Sequence, residues 1–160
     1  MTDVDVDALA DAFQEAFNGG DPAAFSAVCA LDLHYEDPLC AQPLESVSAF
    51  GEHVGHIWAG FPDARMEATG PRLRDGQTVA LPVKLLGTHR GEMAELPPTG
   101  KFVVLHAVLW GQLDEAGERL WRLRAFFDVW DVAVVLGVLP KPGSAGERAM
   151  FLLRGFGLRR

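Results

Sequence analysis

KFVVLHAVLWGQLDEAGERLWRLRAFFD, residues 101–128, carries the strongest β-strand signal in the chain. Valine, leucine and aromatic residues dominate from Lys101 to Gly111, where every second side chain of a strand would face the same side. The segment 114–117, DEAG, supplies a turn, because Asp and Gly both favour tight turns. From Glu118 to Asp128 the chain returns as a second strand. This stretch therefore predicts an antiparallel hairpin.

A period of two also precedes the hairpin. It predicts strands over Met66–Leu73 and Gln77–Gly87, joined by a turn at 74–76. Pro82 lies inside the second of these strands and implies a bulge or an unpaired edge, since proline cannot donate to a β-ladder. Residues 88–100, rich in Pro and Gly, are expected to form a loop.

The first third and the end of the chain carry helical patterns instead, with apolar residues at three- and four-residue spacing. An extended segment at 33–38, turning at Asp37-Pro38, interrupts them. The predicted helices cover residues 3–17, 21–30, 44–58 and 144–154.

Segregation of helices and strands along the chain favours an α+β fold. The simplest packing is a curved antiparallel sheet with the N-terminal helices on one face. Such a sheet, wrapped around the helices, forms a cone whose open end is an apolar cavity. We therefore expect one domain over residues 1–140 and a C-terminal helical extension over 141–160, packed on the domain or on a partner subunit.

Composition and charge exclude several classes of protein. The chain has 160 residues, an apolar fraction of 49% and a formal net charge of −8. The apolar content excludes a disordered chain, and the acidic balance argues against nucleic acid as a partner. The longest apolar run, Val132 to Leu139, is too short to span a membrane, and acidic residues at positions 3, 5 and 7 argue against a signal peptide. Two cysteines make no disulfide framework, so we expect reduced thiols in a cytoplasmic protein.

Motifs for metals and cofactors are missing from the sequence. His53 and His56 are three residues apart without an HExxH pattern, and no Cys–His pair has the spacing of a zinc finger. The sequence has no P-loop, no GxGxxG and no GxSxG. We therefore expect neither a metal nor a cofactor.

Two aspartates lie beside dense aromatic residues. Asp37 lies in HYEDP (34–38) and Asp128 in FFDVWD (126–131). An aspartate that faces inward loses hydration, which raises its pKa and improves it as a general base near neutral pH. Asp-Pro is also a common turn, and an aspartate at a strand end often caps a loop. Both interpretations stay open for both residues.

His106 lies in the centre of the hairpin's first strand. Alternation places it on one face with Val104, Val108 and Trp110. A histidine so placed is either a hydrogen-bonded core group or a donor to a reacting oxygen. Arg124 shares a face with Asp128 in a regular strand.

Two sets of motifs resemble a known superfamily. FQEAFNGGD at 13–21, followed by YEDPL at 35–39, resembles the opening of the ketosteroid isomerase and nuclear-transport-factor-2-like superfamily. A second set is similar in order and spacing to SnoaL-like polyketide cyclases. It consists of FPD at 61–63, GTHRGE at 87–92 and PPTGK at 97–101.

The resemblance spans about residues 8–140 and implies a cone-shaped fold, an apolar cavity and no cofactor. By position, Asp37 matches the isomerase base. Asp128, followed by an apolar stretch closing in Leu-Gly, matches the cyclase acid/base. The isomerase's oxyanion tyrosine falls at Phe13, and its second donor falls near Val108. A steroid isomerase of the usual kind is therefore not expected, and the single tyrosine is instead Tyr35.

We therefore predict a cofactor-free cyclase or isomerase for an apolar polyketide-type or polycyclic substrate. Asp128 would be the general acid/base, Asp37 a second base or orienting group, and His106 a hydrogen-bond donor. The alternatives are epoxide opening by the two aspartates with Arg124, and a non-catalytic ligand-binding or assembly domain. A homodimer is expected, because a sheet that is apolar on both faces must cover its outer one. The predicted substrate contacts are Phe13, Phe17, His34, Tyr35, Trp58, Val108, Trp110, Arg124 and Phe126.

Overall fold

The computed structural model describes residues 5–155, so the first residues of the expected N-terminal helix and the last of the expected C-terminal extension lie outside the described residues. The helices are α1 (Val6–Gly19), α2 (Val47–Gly60), α3 (Val129–Leu136) and α4 (Ala145–Leu153), with a 3-10 helix at Pro22–Ala27. The strands are β1 (Cys29–Glu36), β2 (Arg65–Ala68), β3 (Leu73–Asp75), β4 (Thr78–Thr88), β5 (Phe102–Leu113) and β6 (Leu120–Phe127).

The described strands form one curled, unclosed sheet. Their order is β1-β6-β5-β4-β2, and β3 also pairs with β4. The predicted hairpin is β5 and β6, with Ala107 opposite Phe127. β1 pairs with β6 in parallel, with Tyr35 opposite Leu123. The α+β class is confirmed. The expected antiparallel sheet is corrected to a mixed one, because residues 33–36 of the predicted extended segment form the second half of β1, which pairs with β6 in parallel.

Pro82 lies where β4 changes partners. On one side of it Ala80 pairs with Leu73 of β3, and on the other Val83 pairs with Ala68 of β2. Proline brings no amide hydrogen, and a gap between two partner strands requires none. In place of the expected bulge or unpaired edge, Pro82 lies at the break between the β3 and β2 pairings of β4.

Helices α1 and α2 pack on the concave side of the sheet. Asp5 caps α1 by accepting from the backbone N–H of Asp7, and Ser46 caps α2 by accepting from that of Ala49. Gly20 ends α1 with φ +69°, a left-handed conformation that suits glycine. The apolar faces of both helices join the inner face of the sheet in one core. Their buried side chains in this core include Leu9, Phe13, Phe17, Phe50 and Val54.

Alternation along β5 separates an inner face from an outer one. Val103, Ala107 and Leu109 are buried against the helices. Val104 and Val108 point the other way and are exposed. The sheet therefore has one covered apolar face and one that is open in the single chain.

Two helices follow the sheet. α3 was expected only as an apolar stretch, and its Leu136 packs in a second small core with Phe61 and Val103. α4 forms close to its predicted position, and none of its residues is buried. The division into a domain at 1–140 and an extension at 141–160 stays a prediction. Within residues 5–155, no helix has both the length and the apolar character needed to cross a membrane.

Candidate active site

An apolar cavity of about 140 Å³ lies between α1, α2 and the concave face of the sheet. Phe13 and Phe17 of α1 line it, and Val129 and Val132 of α3 form part of its wall. Among its described lining residues, only Tyr35 and Asp37 carry a side-chain oxygen. The polar side chains of the described cavity wall therefore lie together at the end of β1. The remaining described wall includes Phe50, Val54, Ala107, Leu109 and Leu123.

Asp37 is held in one orientation by four hydrogen bonds. Its Oδ1 accepts from the backbone N–H groups of Leu39 at 2.7 Å and Cys40 at 3.0 Å. Its Oδ2 accepts from the Tyr35 hydroxyl at 2.9 Å and from Nε2 of His53 at 2.7 Å. Only 2% of the carboxylate side chain is exposed. Asp37 can therefore be both a turn residue and a functional one. Its Oδ1 stabilises the turn, while its Oδ2 contacts the side chains of Tyr35 and His53.

His53 comes from α2, and its ring is fixed by its neighbours. Its Nε2 lies 2.7 Å from Oδ2 of Asp37, and because an ionised carboxylate can only accept, this nitrogen carries a hydrogen. The ring of Tyr35 packs against those of Phe50 and His53, with centroid distances of 4.5 and 5.7 Å. His53 was not predicted as a site residue. The available signal was its position on α2 away from the apolar stripe.

The pKa of Asp37 moves opposite to the sequence expectation. Burial opposes ionisation, as predicted. The hydrogen bond and positive charge of His53, with the hydroxyl of Tyr35 and the N–H of Leu39, outweigh it and lower the pKa of Asp37 from 3.8 to about 2. Burial and the neighbouring carboxylate raise the pKa of Tyr35 well above its usual value. Asp37 is therefore an ionised carboxylate facing a protonated tyrosine at neutral pH.

Cys40 lies beside Asp37 and His53 and forms a cluster with them. Its Sγ lies 3.8 Å from Nε2 and 3.9 Å from Nδ1 of His53. Burial and the charge of Asp37 raise the pKa of the Cys40 thiol to about 11. Asp37 and Cys40 also line a polar pocket of about 290 Å³, together with Gln42 and Arg124. Asp37 thus stands between an apolar cavity and a polar pocket.

The structure brings together only part of the predicted site. Phe13, Phe17, Tyr35 and Asp37 line the cavity. The placement of the hairpin residues is corrected: they lie on the outer face of the sheet, and the inward positions of β5 are 103, 105, 107 and 109. Alternation sorts side chains into two faces without saying which face turns inward. The residues that lie outside the cavity for this reason are His106, Val108, Trp110, Arg124 and Phe126.

Asp128 is an exposed helix cap. Its Oδ1 accepts from the backbone N–H of Trp130 at 2.8 Å and begins α3. Its neighbours Phe127 and Val129 line the cavity instead. The paired-aspartate arrangement with Arg124 is therefore not assembled around the cavity.

Two further predicted contacts also lie elsewhere. His34 faces Glu36 at 2.8 Å and Glu45 at 3.2 Å, in a partly exposed ion-pair network. Trp58 packs on the ring of Phe17 at a centroid distance of 5.8 Å, outside the cavity wall. His34 therefore takes part in charge pairing and Trp58 in ring packing, and neither residue lines the cavity.

Comparison with known proteins gives one family and a consistent fold. The family model described as SnoaL-like polyketide cyclase matches residues 7–116. A comparison with curated proteins found no match.

Three solved structures illustrate the shared fold. AclR from Streptomyces galilaeus, named as a candidate hydroxylase, is 20% identical with a TM-score of 0.75, covering 96% of this chain and 94% of its own. A candidate polyketide cyclase from Acidithiobacillus ferrooxidans is 22% identical with a TM-score of 0.72, covering 86% and 99%. IdmH from Streptomyces antibioticus, also named as a candidate polyketide cyclase, is 21% identical with a TM-score of 0.70, covering 82% and 98%. At these identities the likeness shows the fold alone.

Proposed function

The chain belongs to the SnoaL-like polyketide cyclase family, and from that membership we propose that it cyclises or isomerises an apolar polyketide-type or polycyclic small molecule by general acid/base catalysis. Asp37 is the acid/base, and Tyr35 and His53 position it. One observation carries this assignment: a buried carboxylate, fixed by four hydrogen bonds, lies in the wall of an otherwise apolar cavity. The family's small-molecule chemistry supplies the reaction class.

The low pKa of Asp37 makes it a weak base and so limits which C–H groups it can deprotonate. A weak base removes a proton only from carbon whose anion is well stabilised, and a methylene between two carbonyls of a polyketide chain meets that condition. The proton passes from carbon to Asp37, and the enolate carbon bonds to a second carbonyl carbon. The resulting alkoxide takes the proton back from Asp37. For isomerisation, the proton returns to a different carbon.

Protonated Asp37 is well suited to act as the acid in the second step, in which it returns the proton to the alkoxide or to carbon. The hydrogen bonds and charge that lower its pKa all favour the ionised form, so a proton on Asp37 is readily given up. The apolar walls exclude water, which would otherwise quench the enolate. No redox partner or cofactor enters the balance of these steps.

Cavity size limits which part of the substrate is enclosed. An apolar cavity of about 150 Å³ accepts a molecule the size of benzene, and this one measures about 140 Å³. We propose that the reacting ring occupies the cavity. The rest of the molecule extends past Asp37 into the polar pocket beside Gln42 and Arg124.

A second copy of the chain is the proposed partner. Phe102, Val104, Val108 and Phe126 are exposed on the outer face of β5 and β6, and Val108 is paired directly with Phe126. An apolar patch across two neighbouring strands favours association through this face. Sedimentation showing a monomer at micromolar concentration would refute the dimer.

Proton exchange tests the catalytic proposal without knowledge of the natural substrate. The probe is 2-indanone, a small apolar ketone with acidic methylene protons, incubated in D₂O and followed by proton NMR. The chain should accelerate loss of the methylene signal over buffer. Asp37→Asn should remove about 10²–10⁴-fold of that acceleration.

The matched control is Asp128→Asn, which changes an exposed aspartate outside the cavity. It should leave exchange intact. Equal exchange by wild type and Asp37→Asn would overturn the assignment of Asp37. An effect of Asp128→Asn as large as that of Asp37→Asn would overturn it as well.

A further inference from the structure

Three side chains with metal-binding atoms meet beside the polar pocket. Nε2 of His53 lies 2.7 Å from Oδ2 of Asp37 and 3.8 Å from Sγ of Cys40. One such atom from each of the three residues lies within 4.8 Å of the other two. We propose that Asp37, Cys40 and His53 form a binding site for a divalent cation of the zinc class.

The donor set selects the kind of cation. A thiolate sulfur, an imidazole nitrogen and a carboxylate oxygen are the three protein ligands that zinc accepts. Magnesium and calcium prefer oxygen alone, so the sulfur of Cys40 disfavours them. Three protein ligands leave a fourth position of a tetrahedral site for water or another small ligand.

The distances require only small side-chain movements. With metal bonds of about 2.0–2.2 Å to nitrogen and oxygen and about 2.3 Å to sulfur, a tetrahedral site separates nitrogen from oxygen by about 3.4 Å and nitrogen from sulfur by about 3.6 Å. The Asp37–His53 pair, now at 2.7 Å, opens by about 0.7 Å. The Cys40–His53 pair, now at 3.8 Å, closes by about 0.2 Å.

Neighbouring groups already orient the ligands and leave a path for the ion. The backbone N–H groups of Leu39 and Cys40 hold Oδ1 of Asp37, and the Tyr35 hydroxyl donates to Oδ2. Such outer contacts fix the direction of a metal ligand. Asp37 and Cys40 open on the polar pocket, and 17% of the His53 side chain is exposed.

Binding has a defined proton balance. The Cys40 thiol releases its proton to solvent. Nε2 of His53 also gives up its hydrogen, and in the bound form Nδ1 alone carries one, so the bound imidazole is neutral. Metal affinity therefore falls as the pH is lowered. Because Asp37 is a ligand, an occupied site competes with its proposed acid/base role.

Cobalt(II) titration of the full chain is the direct test. A thiolate bound to Co²⁺ gives a charge-transfer absorption in the near ultraviolet, and added Zn²⁺ should abolish it by displacement. Elemental analysis after dialysis should find one zinc per chain. Cys40→Ala should remove the absorption, and His53→Asn should weaken cobalt binding at least about tenfold.

Two matched variants control for the other cysteine and a nearby histidine. Cys29→Ala, at a buried position outside the cluster, and His56→Asn, at an exposed position on the same helix, should keep the absorption. Circular dichroism checks that each variant folds. A wild-type chain without the thiolate absorption would overturn the site whatever the variants do, and so would an unchanged absorption in folded Cys40→Ala. These readouts involve no turnover, so failure of the catalytic proposal would leave them unaffected.

Discussion

Replacing Asp37 by asparagine should make the stability of the protein less dependent on pH. The side chain keeps its shape, and its Oδ1 still accepts from the backbone of the turn. What it loses is the charge that faces His53. The pKa of Asp37 is about 2 in the folded chain against 3.8 for the free side chain. Each pKa unit corresponds to about 1.4 kcal/mol, so ionised Asp37 stabilises the folded state by about 2 kcal/mol.

The sign follows from the lowered pKa. A carboxyl whose pKa is depressed by folding stabilises the protein above its unfolded pKa, and that contribution is lost as the pH falls through the folded pKa. The stabilisation by Asp37 is therefore complete above about pH 5. It should shrink by about 1 kcal/mol by pH 3 and by about 2 kcal/mol below pH 2.

Urea denaturation of wild type and Asp37→Asn at a series of pH values measures this effect. The difference in free energy of unfolding between the two chains cancels the titration of the other carboxylates. It should be largest at neutral pH and decline between pH 4 and pH 2. Asp128→Asn provides an exposed control whose difference from wild type should change much less. A wild-type to Asp37→Asn difference that is constant from pH 7 to pH 3 would refute the reasoning.

Three other outcomes can be measured with the same material. Asp128→Ala should lower the free energy of unfolding by about 1 kcal/mol through loss of the α3 cap, seen by thermal denaturation, and a large loss of 2-indanone exchange would contradict its assignment as a cap. Phe126→Glu should convert the proposed dimer to a monomer in sedimentation velocity, whereas Val138→Glu, at an exposed apolar residue outside the sheet, should not. Alkylation of Cys40 by iodoacetamide, followed by mass spectrometry, should accelerate up to about pH 11, because burial and Asp37 raise the pKa of the thiol to about 11; a plateau near pH 9 would show an unperturbed thiol.

The elements with local signals were predicted well. The hairpin at 101–128 was found because its alternation and its turn lie within one short stretch. β1 was recognised only in its second half. Its stability comes from pairing with β6, far along the chain, as Tyr35 opposite Leu123 shows. Local periodicity does not encode such a partner.

The candidate site was predicted only in part. Asp37 and Tyr35 share a strand end, so a short motif was enough to propose them. His53 was missed because it reaches Asp37 from a separate helix. His106 was placed on the wrong side of the sheet, since its alternation with Val108 is equally consistent with an inner and an outer face.

The sequence by itself determined the α+β class, the family resemblance and the aspartate at the end of β1, because these follow from patterns and motifs of neighbouring residues. Tertiary structure decided which face of β5 turns inward and that the carboxylate of Asp37 contacts His53. It set the pKa of that carboxyl below its usual value, although burial alone would raise it. The reason is physical: the charge and hydrogen bond of His53 act over 2.7 Å in space, between residues that only the folded chain brings together.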